Sequence, residues 1–368
     1  MLNTDFYICL LVAMICATLI SYTTTPIARV LAYKVGAIDV PRDDRRMHKV
    51  PIPRMGGLAI FLAFSVTSMV FCQEITPSLV AIWFGGLIIV ALGAVDDVFR
   101  LSAPLKFIIQ ILVAFIPVSQ GLVIDFIGLG SHYLVLGPFA IPVTILWIVG
   151  LTNAINLIDG LDGLSCGVSA ICSLSLLLVT LVLGNDPLIS LLTGILAGSC
   201  IGFLPFNTNP AKIFMGDTGA LFLGYTLAVL SLQGLFKFHT VLAFVIPISI
   251  FGLPIFDTLF AIVRRLAHGQ APWHADHGHI HHRLIAMGFN QKQTVSILYA
   301  VSGILGISAV MFTSESWTKA VLIILAGFAI IITNYFIIKN PKTREQSGLD
   351  IPALPGTEPS GEDKKSDS

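Results

Sequence analysis

Four short polar clusters interrupt an otherwise apolar chain, and each carries side chains suited to holding a cation, an anion or a proton. The first is Gly93-Ala-Val-Asp96-Asp97-Val-Phe-Arg100, with Lys106 downstream. Adjacent carboxylates repel, and a divalent cation or nearby bases relieve that cost. For the pair in isolation, a solvated loop with helix-capping acids explains it equally well. The second cluster is Asn153-Ala-Ile-Asn156-Leu-Ile-Asp159-Gly160-Leu-Asp162-Gly163-Leu. A three-residue step drifts by about 60° around an α-helix, so these four polar positions cannot share one face. Gly160 and Gly163 let the chain leave the helix after Ile158, which puts both asparagines on a helix end and both aspartates on a turn. Such a turn offers amide and carboxylate oxygens together with backbone N–H groups, more than capping alone requires.

The third cluster runs Asn207-Thr-Asn-Pro210-Ala-Lys212-Ile-Phe214-Met-Gly216-Asp217-Thr-Gly219 into an apolar stretch. Asp217 alone reads as an N-cap. A helix N-terminus also attracts phosphate, and a carboxylate there can hold Mg2+ against it. Phe214 suits stacking on a base, with an interfacial anchor as the alternative. The fourth cluster, Trp273-His274-Ala-Asp276-His277-Gly-His279-Ile-His281-His282-Arg283, invites a zinc reading. No cysteine lies near it, however, and imidazolium groups beside Arg283 would equally clamp a pyrophosphate or carry a proton; a solvated loop is the third reading. Two single features join these clusters. Lys49 precedes Pro51, Pro53 and Gly56-Gly57, a stiff approach followed by a pair that permits close backbone contact. Asp257 lies seven residues before Arg264, roughly 10 Å deep in an apolar run, where a carboxylate is a functional candidate and pairing with a buried base or amide is the plainer alternative.

The elements that must position these residues are membrane helices. Hydrophobic types make up 55 % of the 368 residues, charged types 11 %, and the mean hydropathy is +0.88. A soluble protein carries about 25 % charged residues, and a water-soluble globule has no room to hide so much apolar surface. Apolar runs predict an all-α, polytopic fold of about eleven spans, centred near Met14, Phe64, Leu87, Leu112, Ile148, Leu176, Ile195, Tyr225, Ile250, Gly303 and Leu325. The first run, from Phe6 to Ile20, follows Asp5 instead of a basic residue and reads as an uncleaved span. Gly121 to Pro138 reads as a folded extracytoplasmic loop, with a hairpin as one form. If the loop Arg29 to Arg54 is cytoplasmic, alternation places 19 of the 21 Lys and Arg on that side, leaving only Lys237 and Lys319 outside. The positive-inside rule then gives an outward N-terminus, a cytoplasmic C-terminus and all four clusters on the cytoplasmic rim. Residues 1–339 form the membrane domain and 340–368, with four prolines and mixed charges, a disordered tail. The six cysteines show neither metal spacing nor disulfide density and read as buried thiols.

Lys plus Arg equals Asp plus Glu at 21 each, so no basic surplus points to nucleic acid. A transporter places polar groups near the midplane, whereas these lie on one rim. That favours an enzyme drawing a soluble substrate from the cytosol; a divalent-metal transporter using the His-rich loop and Asp257 is the competing class, and a membrane scaffold the third.

Taken together, the clusters resemble the polyprenyl-phosphate N-acetylhexosamine-1-phosphate transferase family, a glycosyltransferase 4-like group. The correspondence runs in order through Pro53-Arg-Met-Gly-Gly57, Asp96-Asp97 with Lys106, Asn153-x-x-Asn156-x-x-Asp159-Gly-x-Asp162-Gly-Leu164, Phe214-Met-Gly-Asp217 and His279-x-His281-His282-Arg283. The resemblance implies transfer of a sugar 1-phosphate from a uridine diphosphate sugar to a lipid phosphate, releasing UMP and requiring Mg2+, with Mn2+ as a substitute. It makes Asp217 the principal metal ligand, with Asn156 and Asp97 as further members of the shell. Asp96 resembles the acid that deprotonates or engages the lipid phosphate, with Asp97 beside it. Asp162, Asn207 and Phe214 resemble the uridine pocket, with Lys49 close by and Asn153 and Asp159 on the substrate side. His279, His281 and His282 resemble the diphosphate and sugar side. Arg283 after His-x-His-His resembles the N-acetylglucosamine branch, although His277 stands where close relatives often carry Lys or Arg. Implied partners are undecaprenyl phosphate, UDP-N-acetylglucosamine and the lipid bilayer, with a homodimer as the candidate assembly and the bacterial cytoplasmic (inner) membrane as the location. A muramyl-pentapeptide nucleotide or another N-acetylhexosamine is the alternative substrate. Direct attack by the lipid phosphate and a two-step route through an aspartyl intermediate both remain open.

Overall fold

The structure, a computed structural model, describes residues 4–40, 50–129, 132–184, 186–235, 242–269, 278–313 and 317–327. Lys49, Trp273, His274, Asp276, His277 and the tail 340–368 lie outside the described residues. Each expected span centre falls in a helix. The helices are α1 (Thr4–Val35), α2 (Gly57–Phe71), α3 (Pro77–Phe99), α4 (Ala103–Ser119), α5 (Ala140–Leu157), α6 (Leu164–Leu183), α7 (Pro187–Asn207), α8 (Gly216–Gly234), α9 (Leu242–Ile250), α10 (Gly252–Ala267), the short α11 (Ile280–Ala286), α12 (Gln291–Thr313) and α13 (Trp317–Gly327). Among the described residues six helices are long and apolar enough to cross a bilayer, and a seventh crossing is available if α9 and α10, bent by 85° at their junction, form one broken span. The chain is thus a helical, polytopic membrane protein.

Local chemistry sets the helix ends. Thr76 accepts from the Leu79 N–H and Asp186 from the Leu188 N–H, while Pro77 and Pro187 open α3 and α7, where no N–H is needed. The expected loop from Arg29 begins later than the basic residues suggest, because α1 continues through Arg29 and Lys34 to Val35. At 32 residues it is about 48 Å long against a hydrocarbon core of about 30 Å. Thr23, Thr24 and Thr25 return their hydroxyls to carbonyls of the preceding turn, which satisfies them within the helix as it runs through Pro26 to Val35. The segment Gly121 to Pro138 contains an antiparallel hairpin, β3 (Phe126–Leu129) with β4 (His132–Val135), in the register Phe126 to Val135 and Leu129 to His132. A second small ladder pairs β1 (Ile38–Asp39) with β2 (Ile52–Pro53). Of the cysteines, Cys166, Cys172 and Cys200 are buried as expected; Cys9, Cys16 and Cys72 are only half-buried, because they sit on outer faces of α1 and at the end of α2.

The core is built around α8, in which every residue except Asp217 is buried. It packs chiefly against α3 and α5, with α2 and α6 filling the remaining sides. On the far side, Gly194, Gly198 and Gly202 form a small-residue stripe on α7 that brings it against α1, where Thr18 donates to the Gly198 carbonyl at 3.1 Å. Many apolar side chains of α1, α3 and α4, such as Ile8, Leu11, Phe84 and Leu112, stay exposed, as lipid-facing surface should. The antiparallel order brings the C-terminal ends of α3, α5 and α7 together with the N-terminal ends of α2, α4, α6, α8 and α12, and the polar clusters meet there.

Candidate active site

The first and third clusters join at the start of α8. Asp97 accepts from the Asp217 N–H at 3.0 Å, the Thr218 N–H at 3.1 Å and the Thr218 hydroxyl at 2.6 Å. Asp97 therefore supplies the cap that α8 lacks from its own sequence, and the first amides of α8, expected to face a phosphate, are spent on this carboxylate. Asp217, not needed as a cap, keeps its carboxylate for other partners. Lys106 places its Nζ 2.9 Å from Asp96 Oδ2 and 2.7 Å from Asp217 Oδ2, bridging α3, α4 and α8. Arg54 reaches from the other side, 3.4 Å from Asp97 and 3.9 Å from Asp217. Two glycines make this approach feasible. A Cβ on Gly93 would run into the backbone of Asp217 and Thr218, and Gly216 has φ +71° with the Asp97 carboxylate against it.

The Pro53-to-Gly57 segment locks onto the same point through its backbone. Phe214 donates its N–H to Pro53, and the N–H groups of Gly56 and Gly57 donate to Phe214 and Met215, all at 2.8–2.9 Å. This is the close contact that the glycine pair predicts, and it carries Arg54 to Asp217.

The second cluster folds as its glycines require. Asn153 and Asn156 end α5, and Asp159 and Asp162 stand on the turn before α6. Asn153 is directed to α4, with its amide bonded to Gln110 at 2.5 Å and to the Val149 carbonyl. Asp162 holds the segment after α7, accepting from Asn209 at 2.9 Å and from the Ala211 N–H at 3.1 Å, and Asn209 also donates to Gln291 on α12. Asn207 donates to the Ile213 carbonyl at 3.1 Å, while its Oδ1 is buried without a partner. Burial, opposed by Arg54 and reinforced by Asp217, Asp97 and Asp162, pushes Asp159 up to about 7.

The histidines arrive from α11 and close over that turn. His281 is buried against Gly160, where a Cβ would strike its ring. Burial and the neighbouring His282 push it down to about 4, so it is uncharged at neutral pH and contributes a ring face instead of charge. The rings of His279 and His281 lie parallel within 9°, 5.8 Å apart, and His282 follows 4.2 Å from His281. His279 binds Asp257 of α10, which answers the question of what that deep carboxylate pairs with. Arg283 is exposed.

Asp96, Asp97 and Asp217 thus converge directly, and Asp159 sits within their field. Phe214 and Asn207 flank the same loop, and His279, His281 and His282 form a second wall. Arg54 received no role from the sequence, although its place inside Pro53-Arg-Met-Gly-Gly57 was the available signal. Among the described residues no three His, Cys, Asp or Glu side chains form a ready metal cage, so the zinc reading of the histidine segment finds no support in them. The donors at Lys106 are all oxygen: two carboxylates suit a hard cation that completes its shell from water and substrate phosphates.

A profile described as "Glycosyl transferase family 4" matches residues 79–235. A probable undecaprenyl-phosphate N-acetylglucosaminyl 1-phosphate transferase of Bacillus subtilis is 44 % identical over 337 residues, covering 90 % of this chain and 94 % of the relative. A decaprenyl-phosphate N-acetylglucosaminephosphotransferase of Mycobacterium tuberculosis is 34 % identical, covering 86 % and 87 %. An undecaprenyl-phosphate alpha-N-acetylglucosaminyl 1-phosphate transferase of Escherichia coli is 30 % identical, covering 82 % and 84 %.

Proposed function

The chain belongs to glycosyl transferase family 4, and from that premise we propose that it transfers N-acetylglucosamine 1-phosphate from UDP-N-acetylglucosamine to undecaprenyl phosphate, releasing UMP and starting a lipid-linked surface glycan. The observation that carries this reading is the meeting of Asp96 and Asp217 on one lysine, Lys106, which lies 111 residues before Asp217 in sequence, at the helix start that Asp97 holds in place.

The reaction brings a lipid phosphate up to a nucleotide diphosphate, two anions that repel. We assign Asp217, with Asn156, to holding Mg2+, or Mn2+ in its place; when bound, the ion offsets that repulsion and stabilises the leaving UMP. Asp97 belongs to the same shell chiefly as the anchor of α8, since a direct metal bond would cost it one of its present partners. Lys106 and Arg54 balance the carboxylates and are free to turn toward phosphate oxygens. Asp96 engages the lipid phosphate, whose oxygen attacks the β-phosphorus as the bond to the UMP oxygen breaks. The uridine side comprises Asp162, Phe214 and Asn207, whose buried Oδ1 suits a base N–H, with Asp159 behind it and Lys49 assigned from sequence, while Asn153 serves the substrate from the α4 side through Gln110. His279, His282 and Arg283 take the diphosphate and sugar, with His281 as their packing support.

Eleven crossings, an outward N-terminus, a cytoplasmic C-terminus and a bacterial cytoplasmic membrane complete the proposal. The alternation of helix ends at the site and the basic residues gathered there support it. The test is UMP release by purified protein in detergent, given undecaprenyl phosphate, Mg2+ and either UDP-N-acetylglucosamine or UDP-N-acetylmuramyl-pentapeptide, with Asp217→Asn alongside. Lipid-dependent release with the first sugar, lost in the variant, is expected. Release with the second sugar only would overturn the substrate, and a phosphosugar trapped on Asp96 or Asp97 would replace direct attack by the two-step route.

A further inference from the structure

Asp257 sits in the second arm of the 85° bent pair, six residues into α10, with its side chain 4 % exposed. Its Oδ2 lies 2.8 Å from His279 Nδ1 and its Oδ1 accepts the Ile280 N–H at 2.8 Å. Both oxygens therefore grip one short segment, 22 and 23 residues downstream, once by a side chain and once by backbone. Half of the carboxylate's bonding capacity goes to an imidazole that is itself 7 % exposed and stacked on His281.

We propose that Asp257 is a positioning residue for His279: it fixes the proton on Nδ1, leaves Nε2 as the nitrogen offered to the substrate, and holds the ring in register with the His281 and Gly160 stack. A buried carboxylate beside one ring nitrogen favours the tautomer protonated there and leaves the lone pair on the opposite nitrogen. His279 thus faces the diphosphate through Nε2, the ring nitrogen that the Asp257 contact leaves open. The assignment of that ligand rests on the transferase reading above, whereas the tautomer does not. Because α10 follows a sharp break, the carboxylate also ties the orientation of the broken span to that of the histidine wall.

The experiment uses full-length protein in detergent with 15N-labelled histidine, and His279→Asn identifies the His279 signals by difference. Wild type is expected to show His279 protonated at Nδ1, and Asp257→Asn to shift it toward the Nε2–H form, since the amide N–H donates where the carboxylate accepted. In the UMP assay, Asp257→Asn is expected to lower kcat by about 10- to 100-fold, the range for partners that orient a functional imidazole, with KM for the nucleotide sugar nearly unchanged. Asp257→Glu should recover part of kcat, and the double variant with His279→Asn should be no slower than His279→Asn alone. An Nε2–H tautomer in wild type would overturn the pairing whatever reaction is catalysed. A correct tautomer with unchanged kcat in Asp257→Asn, or full additivity in the double variant, would overturn the positioning role. Absence of UMP release by wild type itself would strike the transferase reading, and the tautomer would then decide the pairing alone.

Discussion

On the α3–α8 side of the rim, three carboxylates meet two cations, Lys106 from α4 and Arg54 from the loop before α2, at distances from 2.7 to 3.9 Å. On the α10–α11 side, one carboxylate closes on the side chain and backbone of a single segment. The first arrangement shares its charges among long, rotatable side chains whose partners can be exchanged for a metal or a phosphate. The second is a mount, with both acceptor oxygens committed and the imidazole stack built outward from it. Exchange and support are separated in space, and the Asp159-to-Asp162 turn under His281 is the seam between them.

The comparison breaks most visibly at its exchangeable end. Asp217→Asn removes the carboxylate that faces both cations, and UMP release is expected to fall by roughly a thousandfold or more, a scale set by losing a charged group from the transition state. A fall of less than tenfold would make Asp217 a structural partner of Lys106.

The seam gives the next largest effect, in opposite directions for its two sides. Asp159 has its folded value raised from 3.8 to about 7, so the stability it allows is full below its ordinary value and is lost as pH rises toward 7. His281 has its folded value lowered from 6.5 to about 4, so stability is full above 6.5 and is lost as pH falls toward 4. Between about pH 4 and 6.5 the two slopes oppose each other, each integrating to about 3–4 kcal/mol. Thermal melts of the detergent-solubilised protein, compared between each variant and wild type, read the two slopes separately. His281→Gln should steepen the loss toward neutral pH, and Asp159→Asn should steepen the loss toward acid. Parallel curves for both variants and wild type would dissolve the seam.

Asp97→Asn tests the anchor on the exchange side. It removes the charge at the α8 N-terminus and at least one of three accepted bonds, about 2 kcal/mol of stability, and should lower the melting temperature along with activity. Lost activity with unchanged melting would make it a ligand instead of an anchor. The smallest change belongs to Arg283, exposed at the edge of the histidine wall. Arg283→Gln should raise KM for the nucleotide sugar about threefold with kcat and melting intact, as a solvated charge contributes little. An equal loss in kcat would move Arg283 to the reacting phosphates.

Much of this is legible in the sequence. The polar clusters stand out because carboxylates, asparagines and histidines are costly in an apolar chain, and the Asn153-to-Gly163 spacing fixed the helix end and turn that the structure contains. Each span centre landed in a helix because run length alone carries that signal. What escaped were the partners. The helices are apolar nearly all round, so sequence periodicity does not tell which face of α3 meets α8. Nothing local ties Asp97 to an amide 120 residues away, or Asp257 to His279 instead of to an arginine nearby. Arg54 hid within a loop already rich in basic residues, and α1 runs on through Pro26, Arg29 and Lys34, residue types that in sequence read as the start of a loop.

The burial of α8 has a consequence for how the protein is made. Its main packing partners, α2, α3, α5 and α6, all precede it in the chain. During vectorial synthesis the slot for α8 is therefore assembled before α8 emerges, and a helix bearing Gln233, several glycines and Thr226 enters a prepared protein environment instead of bare lipid. Asp217 rides at its leading end, so the site's central carboxylate comes under Asp97 only as the bundle closes. Nascent chains cut short before α8 would hold most of the membrane scaffold with Asp96, Asp97 and Lys106 in place but without Asp217, the carboxylate that Lys106 and Arg54 both face, so the charged cluster is completed only when α8 arrives.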